Sequence, residues 1–200
     1  MRLRLLLLLT IAALFGGVRA YSQCDVEAER SHYTLEEVKF ESGNAFPAGQ
    51  LRDLIPIVSG GAFSVSRIRD GLRAIRTLYD ENGYINFTII PEAQCDRDRR
   101  SVRLTLTLDE GSQFRLAKLL ILAPKGVADR LYSAWPVKPG AIYDTKLVHE
   151  FFLQNRALLP AGWNLADGFA ASLDEKSKSI EVRLNVCPTN QVCPQATREF

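Results

Sequence analysis

The sequence has two histidines, His32 and His149, and four cysteines among its 200 residues. Neither histidine lies in H-E-x-x-H, and no G-x-S-x-G, P-loop, G-x-G-x-x-G or C-x-x-C occurs. The spacings that assemble nucleophilic, metal-dependent, nucleotide-binding or thiol-redox centres are therefore missing. His149-Glu150 reads as a helix neighbourhood, and no catalytic residue, metal or cofactor is expected. An excess of one charge is also lacking. Lys and Arg number 25 against 23 Asp and Glu, and setting aside Arg2, Arg4 and Arg19 leaves the remainder within one charge of neutral. A broad basic face is not expected, so nucleic acid is excluded as a partner by that route. With 46% hydrophobic and 24% charged residues, the composition is globular rather than disordered, collagenous or coiled-coil.

The one long apolar run, residues 5–15, follows Arg2 and Arg4 and precedes Gly16, Gly17, Val18, Arg19 and Ala20. It has about half of the roughly 20 residues a spanning helix needs. Charged, apolar and small-residue segments in that order predict a secretory signal peptide over residues 1–20, cleaved after Ala20, rather than an uncleaved anchor. Tyr21, Ser22 and Gln23 before Cys24 are too bulky and polar for a lipoprotein signal. The chain is thus expected to be exported. Four cysteines in an exported chain favour disulfides over metal ligation. Cys24, Cys95, Cys187 and Cys193 allow three connectivities. The pairing favoured here joins Cys187 to Cys193, closing a short loop, and Cys24 to Cys95, pinning an extended N-terminal segment (21–32) to the end of a strand.

What the sequence does contain is an internal repeat with a period of about 80 residues. Tyr33-x-Leu35-x-x-Val38-x-Phe40 is answered by Phe114-x-Leu116-x-x-Leu119-x-Ile121. Pro56-Ile57-x-x-Gly60-x-x-Phe63-Ser64 is answered by Pro136-Val137-x-x-Gly140-x-x-Tyr143-Asp144. The first pair predicts an opening strand in each unit. Ser64 and Asp144 predict helix N-caps. Ile68, Leu72, Ile75 and Tyr79 then form one helical stripe, a core face, and Val148, Phe152 and Leu158 or Leu159 form its looser counterpart before Pro160. A shorter helix precedes each of these, from Pro47 through Leu51, Leu54 and Ile55 to Pro56, and from Ala128 to Trp135. Two alternating strands close each unit. Ile85, Phe87 and Ile89 lead through a charged turn to Val102, Leu104, Leu106 and Leu108. Phe169, Ala171 and Leu173 lead through Asp174–Lys178 to Ile180, Val182, Leu184 and Val186. The expected fold class is α+β: two tandem β-α-α-β-β units, each a three-stranded sheet packed on two helices, over 33–111 and 112–188. Such units are near the lower limit of independent stability, so mutual support or disulfides are expected.

The element order, the Gly60 to Ser64 turn, Leu78-Tyr79-x-x-x-Gly83-Tyr84 and Leu108-Asp109-Glu110-Gly111 resemble the polypeptide-transport-associated (POTRA) repeats of BamA-like outer-membrane assembly proteins. The resemblance spans roughly residues 33–188. It is weaker in the second unit, where Leu158-Leu159 and Gly162-Trp163 stand in the signature positions. Members usually end in a membrane β-barrel, and no barrel is expected before Phe200. The tail, 189–200, contains Pro194 and no alternating apolar face, and is expected to be frayed rather than a strand.

The resemblance implies binding by strand addition, in which an extended peptide pairs with an exposed sheet edge. In the family the second strand of each unit is commonly that edge. This points to Ile85, Asn86, Phe87, Thr88, Ile89 and Ile90 in the first unit, and to Phe169, Ala171 and Leu173 in the second. Implied partners are outer-membrane β-barrel or assembly proteins and extended client polypeptides, with membrane association only through those partners. The function implied is a non-enzymatic periplasmic protein-binding or scaffold module in outer-membrane or exported protein assembly, which binds extended segments or docks a barrel partner. The alternatives are an adaptor inside a secretion complex and an exported redox enzyme. The charged runs Asp96–Arg100 and Asp174–Lys178 read as solvated hairpin loops. Asn86-Phe87-Thr88 matches a glycosylation acceptor, although its place in a strand argues against use. Glu110-Gly111 reads as turn geometry rather than chemistry.

Overall fold

A computed structural model describes Cys24, residues 27–124, 126–187 and 193, and the backbone of 195–198. The expected signal peptide, residues 1–20, lies outside the described residues. The first repeat contains β1 (Thr34–Glu41), α1 (Ala48–Asp53), α2 (Val65–Glu81), β2 (Thr88–Asp96) and β3 (Ser101–Asp109). The second contains β4 (Arg115–Leu122), α3 (Val127–Ala134), α4 (Thr145–Gln154) and a 3-10 turn (Arg156–Leu158). It continues with α5 (Leu165–Gly168), β5 (Phe169–Asp174), β6 (Ser179–Asn185) and β7 (Gln195–Arg198). The fold is mixed α+β in the expected order of elements. By internal contacts, the described residues up to Ile75 group with Ile89–Asp109, and Arg76–Thr88 group with the described residues from Glu110 onward.

The duplication extends to the register of the backbone. The sheets are ordered β1-β3-β2 and β5-β6-β4-β7, and the opening strand runs parallel to the closing strand in both: β1 to β3, and β4 to β6. Each opening strand slips at the same place, between Leu35 and Glu37 and between Leu116 and Lys118, which marks one extra residue and a bulge. The repeated proline and glycine motif has a definite task. Gly60 and Gly140 adopt φ of 80° and 76°, a left-handed conformation open to glycine at little cost. The loop thereby turns back onto the start of the opening strand. Gly60 N donates to Leu35 O (2.7 Å) and Leu35 N to Gly61 O (2.8 Å); Gly140 N donates to Leu116 O (2.7 Å) and Leu116 N to Ala141 O (3.0 Å).

Burial follows the predicted periodicities. Val102, Leu104, Leu106 and Leu108 alternate into the interior from β3, as do Ile180, Val182, Leu184 and Val186 along and just beyond β6. On α2, Ile68, Ile75 and Tyr79 are buried but Leu72 is only half-buried; Gly71 takes the fully buried place. A Cβ on Gly71 would lie 2.9 Å from the Ile55 Cα, so the glycine lets α2 approach the end of the preceding segment closely. In the second group, Val148, Phe151 and Phe152 of α4 pack with Leu119, Ile121 and Val182.

Three expectations are corrected. Ile85, Asn86 and Phe87 are not in a strand: Phe87 N donates to Tyr84 O (3.1 Å) in a turn, and its ring stacks on Tyr79 with centroids 3.8 Å apart. β2 instead begins at Thr88 and runs through Pro91 to Asp96, because burying the Phe87 ring against α2 outweighs its strand periodicity. The second sheet has a fourth strand. The tail expected to fray pairs Gln195–Arg198 antiparallel with Leu122–Leu119, since an existing strand edge supplies the ladder that the tail's side-chain pattern lacks. The segment before Tyr33 is helical at Cys24 and 27–30 rather than extended. Ser64 stands at the N-cap of α2 as expected, its carbonyl accepting from Ile68 N (3.0 Å), and the Glu29 carboxylate accepts from the Val65 amide (3.2 Å) and from Ser64 Oγ. Asp144 caps α4 directly, accepting from the amides of Lys146 (2.8 Å) and Leu147 (3.2 Å).

Candidate functional site

Unpaired sheet edges are where a chain of this kind can take an extended polypeptide, because the main chain offers donors and acceptors there without needing particular side chains. The four cysteines do not compete as a reactive centre. Cys24 is bonded to Cys95 and Cys187 to Cys193, with Cα atoms 5.8 Å apart in each bridge. Among the described residues, no group of three His, Cys, Asp or Glu side chains is placed to hold a metal ion, and no helix is long and apolar enough to cross a membrane.

β5 is the most open edge. Among the described residues it pairs only with β6, antiparallel, with Ala171 opposite Val182 and Leu173 opposite Ile180. It is held at both ends and bare between them. At its start, Phe169 packs edge-on to Phe152, and Phe152 stacks on Trp163. The Trp163 indole donates to Asn185 O (2.8 Å) and lies where a Cβ on Gly168 would sit, so only glycine fits beneath it. At its far end, Asp174 accepts from the amides of Lys176 (2.9 Å) and Ser177 (3.4 Å). The Ser177 side chain, followed by these amides, holds the Asp174 carboxyl below its ordinary range. Residues 170–174 are exposed, Leu173 at 41%.

β2 offers a poorer edge. Thr88, Ile89 and Ile90 lie on it and Ile90 is exposed, but Pro91 follows at once. Proline carries no amide and is tolerated in sheets with its nitrogen on the unpaired side, so this edge has a donor missing beside the predicted residues. A proline inside an apolar alternation was the sequence signal for this. The predicted site residues therefore divide: Phe169, Ala171 and Leu173 share one open strand, Thr88, Ile89 and Ile90 sit at the start of an interrupted one, and Ile85, Asn86 and Phe87 lie outside any strand. Asn86 instead places its carboxamide against Gly111 and donates to Glu175 (2.5 Å).

Residues 33–111 match the POTRA family, described as the surface antigen variable number repeat. The match covers the first repeat. The second lies outside it but repeats the bulge, the edge-capping loop and the parallel pairing of the first. The fold as a whole resembles solved POTRA structures. Against POTRA3-5 of Haemophilus influenzae BamA the TM-score is 0.62 at 19% identity, covering 78% of this chain and 61% of that one. Against Haemophilus ducreyi BamA lacking POTRA domains 1-3 it is 0.62 at 13% identity, covering 79% of this chain and 30% of that one. The chain thus spans under two thirds of either structure, and at these identities the likeness is one of fold. No curated protein matches it in sequence.

The POTRA signature residues are brought together by the fold. Gly83, at φ 82°, accepts from Phe114 N through its carbonyl (2.8 Å), and Gln113 Nε2 donates to Asn82 O (3.0 Å). These contacts tie the Asn82–Gly83 turn to the segment before β4.

Proposed function

We propose that this chain is a non-enzymatic, periplasmic protein-binding module in the assembly of outer-membrane or exported proteins, and that it holds extended segments by adding them to β5. The observation that carries the reading is the state of the strands: among the described residues β5 is exposed, free of proline and unpaired on one side, whereas β4 is already paired on its outer side with β7. Export is supported by the leader pattern and by the two disulfides, which persist outside the reducing cytosol. The POTRA match supports a partner drawn from barrel or assembly proteins. The domain limits 33–111 and 112–188 form part of this reading.

A photoreactive residue in place of Ala171, in the full chain expressed in a Gram-negative cell, tests it. Crosslinks to unfolded outer-membrane precursors or barrel-assembly components are expected. Proline at Ala171 or at Ser172 refines the result: one of the two removes an outward amide and leaves the β5–β6 pairing intact, and that variant should fold and lose the crosslink. A folded protein that captures no polypeptide from this position refutes the proposal.

A further inference from the structure

We propose that the second repeat carries an anion site, a groove at the start of β4 in which Arg115 and Lys178 bind a phosphate group. This goes beyond the β5 reading and does not depend on it. The groove has a volume of about 540 Å³. Arg115 and Lys178 are its charged lining; the rest is neutral, with Gln113, Ser177, Ser179 and Gly140 among it.

The backbone brings the two cations together. β4 and β6 start side by side in parallel register, with Arg115 opposite Ser179, so that Arg115 N donates to Lys178 O (3.0 Å). Arg115 Nη1 donates to Gly140 O (2.9 Å), in the loop that turns back onto β4. That bond orients the guanidinium. Its Nε and Nη2 edge, a side that forks onto an oxyanion, makes no hydrogen bond among the described residues. Lys178 stands at φ 51°, a left-handed conformation that glycine reaches at less cost, and its ammonium makes no ion pair among the described residues.

The neighbouring carboxylates reduce this positive charge without cancelling it. Asp174 accepts from the amides of Lys176 (2.9 Å) and Ser177 (3.4 Å), Glu175 accepts from Asn86 (2.5 Å), and Asp144 caps α4. Glu181 lies opposite Lys118 in the strand pair. Over residues 113–118, 138–140 and 174–181, Arg115, Lys118, Lys138, Lys176 and Lys178 stand against Asp174, Glu175 and Glu181, five basic residues to three acidic. Two separate cations at one groove match a dianion, whereas a carboxylate would balance one of them.

The first repeat has the same frame without the site. Thr34 N donates to Arg100 O (2.9 Å) as Arg115 N does to Lys178 O, and Arg100 has φ 50°. Thr34 bridges Ala62 as Arg115 bridges Ile142. Threonine has no guanidinium to reach across the loop at Gly60, so the paired cations belong to the second repeat alone.

The test is an NMR titration of the full chain with inorganic phosphate at about pH 8, where the group is chiefly a dianion, at an ionic strength fixed with chloride. Saturable shifts of the Arg115, Gly140 and Lys178 amides are expected, with acetate binding about tenfold more weakly. Arg115→Thr, which installs the residue of the first repeat, should raise the dissociation constant about tenfold. Lys178→Gly, which suits the left-handed backbone, should do the same; if one variant unfolds, the other decides. Vesicles separate the sources of the group. Flotation with phosphatidylglycerol but not phosphatidylcholine, lost in Arg115→Thr, makes it a lipid headgroup; saturable phosphate binding without flotation makes it free phosphate. Shifts that stay linear in phosphate, acetate binding as tight as phosphate, or folded variants that bind like wild type overturn the inference. Each of these results leaves the β5 reading untouched.

Discussion

The Tyr79 hydroxyl donates a 2.8 Å hydrogen bond to the Glu110 carboxylate, joining the Leu-Tyr and Glu-Gly signatures of the repeat in a single contact. The Tyr79 ring stacks flat on Phe87 and meets Tyr84 edge-on. Gly111 follows at φ 61°, where the carboxamide oxygen of Asn86 comes within 2.6 Å of the place a Cβ would take. Burial first, and then the bond to Glu110, push the Tyr79 hydroxyl well above its ordinary pKa, so it stays a donor at any physiological pH.

Truncating that acceptor should therefore be costly. Glu110→Ala is expected to destabilise the protein by about 1.5–3 kcal/mol, the range for a hydrogen bond to a charged group, and Glu110→Gln by less because it can still accept. Urea unfolding measures both. Equal losses for the two variants would show that the bond contributes little.

The glycines of the first group separate packing from helix propensity. Gly49 in α1 has nothing within 4 Å of its absent Cβ, so Gly49→Ala should stabilise by about 0.5–1 kcal/mol. Gly71→Ala puts a methyl 2.9 Å from the Ile55 Cα and should destabilise by about 1–3 kcal/mol despite the better propensity. Thermal melts of the two variants should move in opposite directions; a shared direction would contradict the close approach of α2.

The two disulfides should differ in weight. Cys24–Cys95 spans 71 residues and Cys187–Cys193 spans 6. On loop-closure entropy, removing the first pair by alanine costs about 4 kcal/mol and removing the second about 2 kcal/mol. Denaturant midpoints for the two double variants, at unchanged slope, test the ranking.

Asp80 should leave a pH signature. Burial, opposed by Arg76, raises its carboxyl above the ordinary range. A raised folded-state value means that the folded chain holds this proton to higher pH than the unfolded chain does. The contribution is complete below the unfolded value of about 4 and is lost as pH rises through the folded value. Asp80→Asn should consequently gain stability relative to wild type between pH 3 and pH 7, as read by urea unfolding at the two pH values. A difference that does not change with pH would argue against the shift.

The α+β class and the repeat were legible because they rest on local chemistry. Alternation of Val102, Leu104, Leu106 and Leu108 dictates a strand with one face inside, and Pro56 with Gly60 punctuates the chain by restricting or freeing its own φ. The candidate site was legible only in part. Phe169, Ala171 and Leu173 were found on an open edge, but Phe87 carries the same alternation and leaves the strand because its ring finds Tyr79. Nothing near Phe87 in sequence announces that contact.

Amino-acid order alone therefore determined most of the elements, their duplication and most of the residues that face the interior, since periodicity and backbone restriction act over a few residues. Tertiary structure alone decided which edges are covered. β7 closes the outer side of β4, and among the described residues the equivalent side of β1 has no such strand. The physical reason is that an edge is satisfied by main-chain groups from a distant segment, and main-chain groups are the same in every residue but proline, so side-chain patterns carry no record of their pairing.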